Sequence, residues 1–435
     1  MIDSATLTYA LNTFFLLITG SLVLWMGTGF VMLEAGLVRS KNTTDVLMKN
    51  LVLYAIACVM FSLIGYRIMY GKNDGGLVPL SFGQDHGGAY SSDAHFFFNL
   101  VFAETGLAIL SGAVTERMRL KSFALFSVVY AGVIYPLTAF WVWGGGFLAI
   151  LGGHDLCGAG VVHFAGAVAA LAAVVQLGPR AGKYTGDGRI NPMPGANLPL
   201  AALGCFILWF GWMGFNGGAQ LVLVGREATD TVARILVNTN ASACAGTLAA
   251  FLFTIRRFGK ADLTMVINGA LAGLVVISAE PGAPTLWQAS FYGALAGLLV
   301  NIAITSLEHW QIDDPVGAIS VHGVSGALGL LLVPLARPEV SFFAQLQMVL
   351  VIGLWSFGAS WLVLKMLSWG SGLRLDAEAE YDGLDISQYG MEAYPEFTGA
   401  RVGVHRVAGS GEHRGMIVSS AFRARRSKAY SGKPE

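Results

Sequence analysis

Apolar and polar positions divide the chain into apolar runs of about twenty residues, long enough for a helix to cross a bilayer, joined by polar connections. Eleven runs can be read, roughly at 9–34, 43–70, 95–116, 122–145, 158–179, 196–217, 228–255, 262–280, 285–306, 316–336 and 341–369. Only helices or closed barrels satisfy the backbone inside lipid, and runs of this length favour helices. The pattern therefore predicts an all-α polytopic membrane protein with eleven transmembrane helices. A transmembrane domain occupies 1–372 and a polar tail 373–435. No basic stretch precedes the first run and no clear small-residue cleavage site follows it. It is read as a retained span rather than a cleaved signal peptide.

Charge then orients the spans. Arg39 and Lys41 fall in the first connection and Arg117, Arg119 and Lys121 in the third. Arg180, Lys183 and Arg189 fall in the fifth, and Arg256, Arg257 and Lys260 in the seventh. The alternate connections carry fewer, chiefly Arg67, Lys72, Arg226 and Arg337. Because cytoplasmic connections hold the excess of Lys and Arg, the N-terminus is expected outside and the C-terminus in the cytoplasm of a cell membrane. From Arg401 onward the tail carries eight Lys/Arg against two Glu with little apolar periodicity. A partly disordered end after about residue 400 is expected there.

Composition supports the membrane reading. Charged residues make up 12% of the chain, about half the share usual in soluble domains. The net charge is zero, so no nucleic-acid partner is implied. Cys58, Cys157, Cys205 and Cys244 are scattered without metal-ligand or CxxC spacing and read as small packing residues.

Candidate chemistry centres on two histidines. His86, His95, His154, His309, His405 and His413 are assigned to loops, flanks or the tail, whereas His163 and His322 lie well inside apolar runs. Their segments, HDLCGAGVVHFAGAVAAL and DDPVGAISVHGVSGALGL, share an aspartate-containing approach, a valine before the histidine and small residues after it. They relate the fifth run to the tenth. A five-span unit is odd, so its two copies, about 9–179 and 196–336, run in opposite directions. Inverted repeats place their sites near the midplane where the halves face each other. Ionisable groups inside a membrane usually line pathways, and neutral imidazole both donates and accepts, so two touching rings could share a proton. A metal would want more ligands than these two. No nucleophile or cofactor loop accompanies them, so neither an enzyme nor a cofactor is expected.

The ordered motifs GFVMLEAGLVRSKN, SGAVTERMR, WVWGGG, HDLCGAGVVH, GWMGFNGG, VNTNASA, NGALAGLV, DDPVGAISVHGVSG and GLDIS…EAY complete the pattern. Together they resemble the ammonium transporter family (the Amt/Rh superfamily) from about residue 12 to residue 395. The resemblance implies an ammonium/ammonia transporter with eleven spans per protomer, assembled as a homotrimer. It implies that Trp143 and Phe102 wall an outer recruitment site supported by Asp155, that Phe102 and Phe215 stack as a gate, and that His163, His322 and Trp212 line the pore. The chain departs from the family at Ala219, where a serine often accepts a hydrogen bond from ammonium. Weaker affinity, or a water in the hydroxyl's place, is expected. Gly317 is read as standing where an aspartate is common, and Glu104 is an unusual acid two residues after Phe102. The family tail receives a PII-type signal protein. Here the sequence Tyr389-Gly390-Met391-Glu392-Ala393-Tyr394 departs from its pattern, which weakens that expectation. With Ala219, the altered tail motivates an alternative reading as an ammonium sensor or transport-impaired member.

Overall fold

A computed structural model of the chain describes residues 3–71 and 88–395. Lys72, His86, His405, His413 and the basic stretch from Arg401 lie outside the described residues. The described residues are mainly helical, with no β-strand among them.

Ten helices are long and apolar enough to cross a membrane: α1 (Ser4–Leu37), α2 (Ser40–Met69), α3 (Ser92–Val114), α4 (Leu120–Ile150), α5 (Ala159–Leu177), α6 (Leu198–Gly218), α7 (Arg226–Phe258), α9 (Leu286–His309), α10 (Ile319–Ala336) and α11 (Phe342–Gly370). Between α7 and α9 lies a shorter apolar helix, α8 (Leu263–Ile277), at the eighth run of the sequence. Helix starts follow from local chemistry. Asp3 accepts the Thr6 amide at 2.7 Å to open α1, Asn197 accepts from Leu200 to open α6, and Thr285 and Gln288 cap α9 reciprocally.

Lipid tails offer no hydrophobic drive for helices to associate, so small residues and polar bonds must bring them together. At the contact of α7 with α9, a Cβ on Gly293 would lie 2.0 Å from the Ser242 carbonyl oxygen, so only glycine permits this approach. Nearby, Ser242 Oγ donates to Gly273 O on α8 at 2.6 Å. Asn216 of α6 donates to Thr239 of α7 at 3.0 Å. Such interhelical bonds are worth roughly 0.6–2 kcal/mol each in a bilayer.

Basic residues of the first, third and fifth connections share one end of the bundle. Arg39 pairs with Glu116 at 2.5 Å, and Arg180 reaches both Glu116 and Asp313. Arg117 donates to the carbonyls of Gly178, Thr115 and Asp313. Burial would raise the Asp313 carboxyl, but the Arg180 hydrogen bonds and charge outweigh it and hold the group down at about 2.

The start of the tail is built into this end. Arg374 pairs with the buried Glu380 on the short helix α12 (Ala377–Asp382), and Glu380 Oε1 accepts the Ala181 amide at 2.6 Å. Asp385 accepts the Thr44 and Asp45 amides at 3.0 Å each, supplying the N-terminal cap of α2's regular turns. The compact unit runs to Met391. Glu380 and Asp385 bury their charges against the loops of their own chain, while Asp376, Glu378 and Asp382 stay exposed.

Candidate functional site

The two histidine segments share one local construction. Gly158 has a φ of +98° and Gly317 one of +79°, values that favour glycine. Each is followed by a widened helical turn, Ala159–Phe164 and Ile319–Val324, that carries the histidine. Such turns interrupt the regular ladder and recur at functional sites. Asp155 opens the first, its carboxylate accepting the amides of Gly158, Ala159, Gly160 and Val161 at 2.8–2.9 Å. Asp314 opens the second, accepting from the Ile319 and Ser320 amides and the Ser320 hydroxyl. Gly317 corresponds to Gly158, and the acid of that segment is Asp314, three residues earlier.

His163 and His322 meet in the interior. Their ring centroids lie 5.2 Å apart with the planes 23° from parallel. The rings stack rather than meeting edge to edge. Both nitrogens of His163 and Nδ1 of His322 are buried without a hydrogen-bond partner. The contact expected from sequence is made, but the hydrogen bond that would share a proton directly is not.

A row of aromatic rings leads away from the pair. His163 stacks on Trp212 at 4.9 Å and meets Phe215 at 5.3 Å. Trp212 Nε1 donates to Ser278 Oγ at 2.9 Å, which fixes the indole. Phe215 stacks on Phe102 at 4.1 Å and 11°, and both rings are buried. The edge of Trp143 follows at 6.3 Å and 78° from Phe102. Its Nε1 donates to the Asp155 carbonyl at 2.6 Å, so the loop that carries the acid also sets the indole.

Beyond the stacked phenylalanines opens a cavity of about 420 Å³, lined by Trp143, Phe102, Asp155 and Ala219 among others. On the far side of His322 the space shrinks to about 10 Å³ between Phe30, Glu34, Val316 and neighbouring groups. That is near the least volume that holds one water. Asp155 lies in the connection before α5. Burial pushes its carboxyl up to about 6, against the lowering effect of its backbone hydrogen bonds.

The large cavity also contains groups that the sequence did not single out. His95 is not in a flank. It is buried in α3 and lines the cavity, with Tyr66 Oη 2.9 Å from its Nδ1. Asn99 accepts from Tyr70 Oη at 2.9 Å, and Tyr90 stacks on His95 at 5.5 Å. A signal exists in the spacing, since His95, Asn99 and Phe102 follow an i, i+4, i+7 pattern and so share a helix face. His154 joins the same wall, with its Nε2 2.7 Å from Glu280, which also pairs with Arg337. Ala219, at the end of α6, presents a methyl where an acceptor was missed. Glu104 takes no part in this row and lines a separate cleft with residues of α1 and α2.

The Ammonium Transporter Family profile matches residues 14–394. Ammonium transporter Amt2 of Archaeoglobus fulgidus is 40% identical over 413 residues, covering 88% of this chain and 87% of that protein. Ammonium transporter Amt1 of Haloferax mediterranei is 35% identical, covering 92% and 82%. Among solved structures, one titled Sensor Amt Protein superposes with a TM-score of 0.83 at 34% identity, covering 88% of this chain and 99% of that one. Candida albicans Mep2 superposes at 0.77 with 25% identity, covering 87% and 89%. With a profile matched over most of its length and relatives at this identity, the chain belongs to the Ammonium Transporter Family.

Proposed function

We propose that this chain carries ammonium across a membrane, taking it up as the cation and passing it as ammonia. The observation that carries the reading is the unbroken sequence of groups from a wide aromatic cavity, past two stacked phenylalanines, to two buried histidines. In this reading Trp143 and Phe102 hold the cation by cation–π attraction, about 0.5–2 kcal/mol and more where water is excluded. Asp155, ionised above about pH 6, adds negative potential beside them. Phe102 and Phe215 exclude water. A bare ammonium ion beyond them would lose several kcal/mol of solvation, so the proton parts from ammonia near this gate and crosses separately by way of the two imidazoles, which gives the transport its net charge. Ammonia then moves along His163 and His322, whose unpartnered nitrogens offer hydrogen bonds in an otherwise apolar passage, with Trp212 as a wall.

The same reading counts α8 as a span, giving eleven in an inverted five-helix repeat, with the Trp143 end outside and the Arg117 end in the cytoplasm. The clustering of the basic connections at one end supports this orientation. Family membership supports a homotrimer with one passage per subunit. The segment 373–391, seated at the cytoplasmic end, is the proposed place for a PII-type signal protein.

Ammonium sensing is the second reading. It is favoured by Ala219, which removes an acceptor from the cavity, and by the likeness to a solved protein titled as a sensor. Reconstituted protein on a solid-supported membrane distinguishes the two. A transporter gives a saturable current after an ammonium jump, whereas a sensor binds ammonium saturably without current. Absence of both overturns the two readings together.

A further inference from the structure

A second cavity, of about 440 Å³, lies between α1 and α2, with Glu104 of α3 in its lining. Its size falls in the range of small-ligand pockets. Leu24, Val31, Leu47 and Leu51 make it mostly apolar, and Leu51 is 70% exposed at its edge. Inside, two buried oxygens have no hydrogen-bond partner, Glu104 Oε2 and Asn50 Oδ1. The other Glu104 oxygen rests against Gly27, where an added Cβ would come within 3.1 Å of it. A larger residue there would press on the acid by a few tenths of an ångström.

Buried polar atoms are nearly always satisfied, and an exception asks for an explanation. Among the described residues Glu104 forms no ion pair, and the ionisable groups that influence it or respond to it are Glu34, Tyr54 and Cys58. Asn50 Oδ1 accepts, and so does the Glu104 carboxylate once a cation joins it, so an occupant that donates satisfies both. A carboxyl group disfavours phosphate and favours a cation. The apolar walls ask for a hydrocarbon chain, which ammonium itself lacks. Glu104 lies about midway along α3, below the depth of lipid headgroups. A single-chain occupant reaches it and a bulky phospholipid head does not.

We propose that the cleft between α1 and α2 binds a single-chain amphiphile with a primary ammonium head, held by Glu104 and Asn50. The tail lies along Leu24, Val31, Leu47 and Leu51 and leaves toward the lipid. Asn50 also donates to Glu34 at 3.2 Å, and Glu34 lines the small cavity beside His322. Occupancy is thereby linked to the wall of the histidine passage through two side chains.

The test uses n-octylamine with a terminal diazirine on full-length protein in phosphatidylcholine nanodiscs, free of detergent. Irradiation should label peptides containing Leu24–Met32 and Leu47–Tyr54. Glu104→Gln should lower labelling roughly tenfold or more, the loss of one charge-assisted bond. Leu51→Trp, at an exposed position that does not challenge folding, should block entry to a similar extent. Octylamine should compete at least tenfold better than 1-octanol. Labelling unchanged in either variant overturns the proposal. So does equal competition by octanol, or label spread evenly over exposed apolar residues such as Phe206 and Leu354.

Discussion

The segments Gly158–Phe164 and Gly317–Val324 are built to one plan, yet they serve very different surroundings. Asp155 spends both carboxylate oxygens on four amides and shares its loop with Trp143. Asp314 accepts through one oxygen and leaves Oδ1 without a partner. The Asp155 loop that opens the first segment borders a cavity of about 420 Å³, whereas the second segment itself borders one of about 10 Å³. One local device thus holds a histidine in the interior twice, while in the proposed mechanism the flanking residues decide which side receives a cation. The difference lies in the rims rather than in the histidines.

The largest expected effect tests the equivalence of the two histidines. His163→Ala and His322→Ala should each reduce the ammonium-evoked current about a hundredfold or more, the scale of lost proton-transfer groups. Assembly, checked by size-exclusion chromatography, should survive. Wild-type current in either variant would separate the pair and end the paired-histidine mechanism.

The two acids should respond less strongly and unequally. The Asp155 carboxyl is pushed up to about 6 by burial, with its amide bonds opposing. Above that value it is anionic and attracts the cation, and as pH falls through about 6 it takes up a proton and the attraction weakens. The half-saturating ammonium concentration of the wild type should therefore rise several-fold between pH 7 and pH 5. Asp155→Asn should flatten that dependence. Burial pushes Asp314 up to about 6 as well, but it stands at the other end, so Asp314→Asn should keep the wild-type profile. Matching profiles for the two variants would show that the rims are not specialised as proposed.

Much of this architecture is legible in the sequence, for physical reasons. Apolar length alone locates the helices, because the bilayer imposes one length on every span. Even α8, at 15 residues the shortest of the apolar helices, coincides with a run read from sequence. The histidine pair is legible because an ionisable residue in an apolar run stands out. His95 escapes notice for the opposite reason, since it sits near the start of α3 beside polar residues, where hydropathy carries no contrast. Its helix-face relation to Asn99 and Phe102 holds the information. Asp314 is obscured by its neighbour Asp313, which pairs with Arg180 instead. Composition cannot separate the two acids, because only the backbone after Gly317 decides which one caps the turn. The docking of residues 373–391 is also hidden, since polar residues that bury their charges in ion pairs look like polar residues in solvent.

The smallest expected effect concerns Ala219 and decides between carrying and sensing. Restoring a hydroxyl by Ala219→Ser adds one acceptor to the large cavity near Trp143 and Phe102. A hydrogen bond to a charged group is worth about 1.5–3 kcal/mol when buried, and an open cavity reduces that. A threefold to tenfold fall in the half-saturating ammonium concentration is therefore expected, measured by current or by direct binding. The cavity already holds Asn99 and the tyrosines 70 and 90, which can supply acceptors from the opposite wall. If Ala219→Ser leaves affinity unchanged, those residues already satisfy the cation. Combining it with Asn99→Ala should then recover the serine's contribution, because the two acceptors would be competing for the same ammonium hydrogens. A rise in current with the tighter site would place the limit at recruitment. Tighter binding with no gain in current would place it at the stacked phenylalanines, where a sensor would stop the ion.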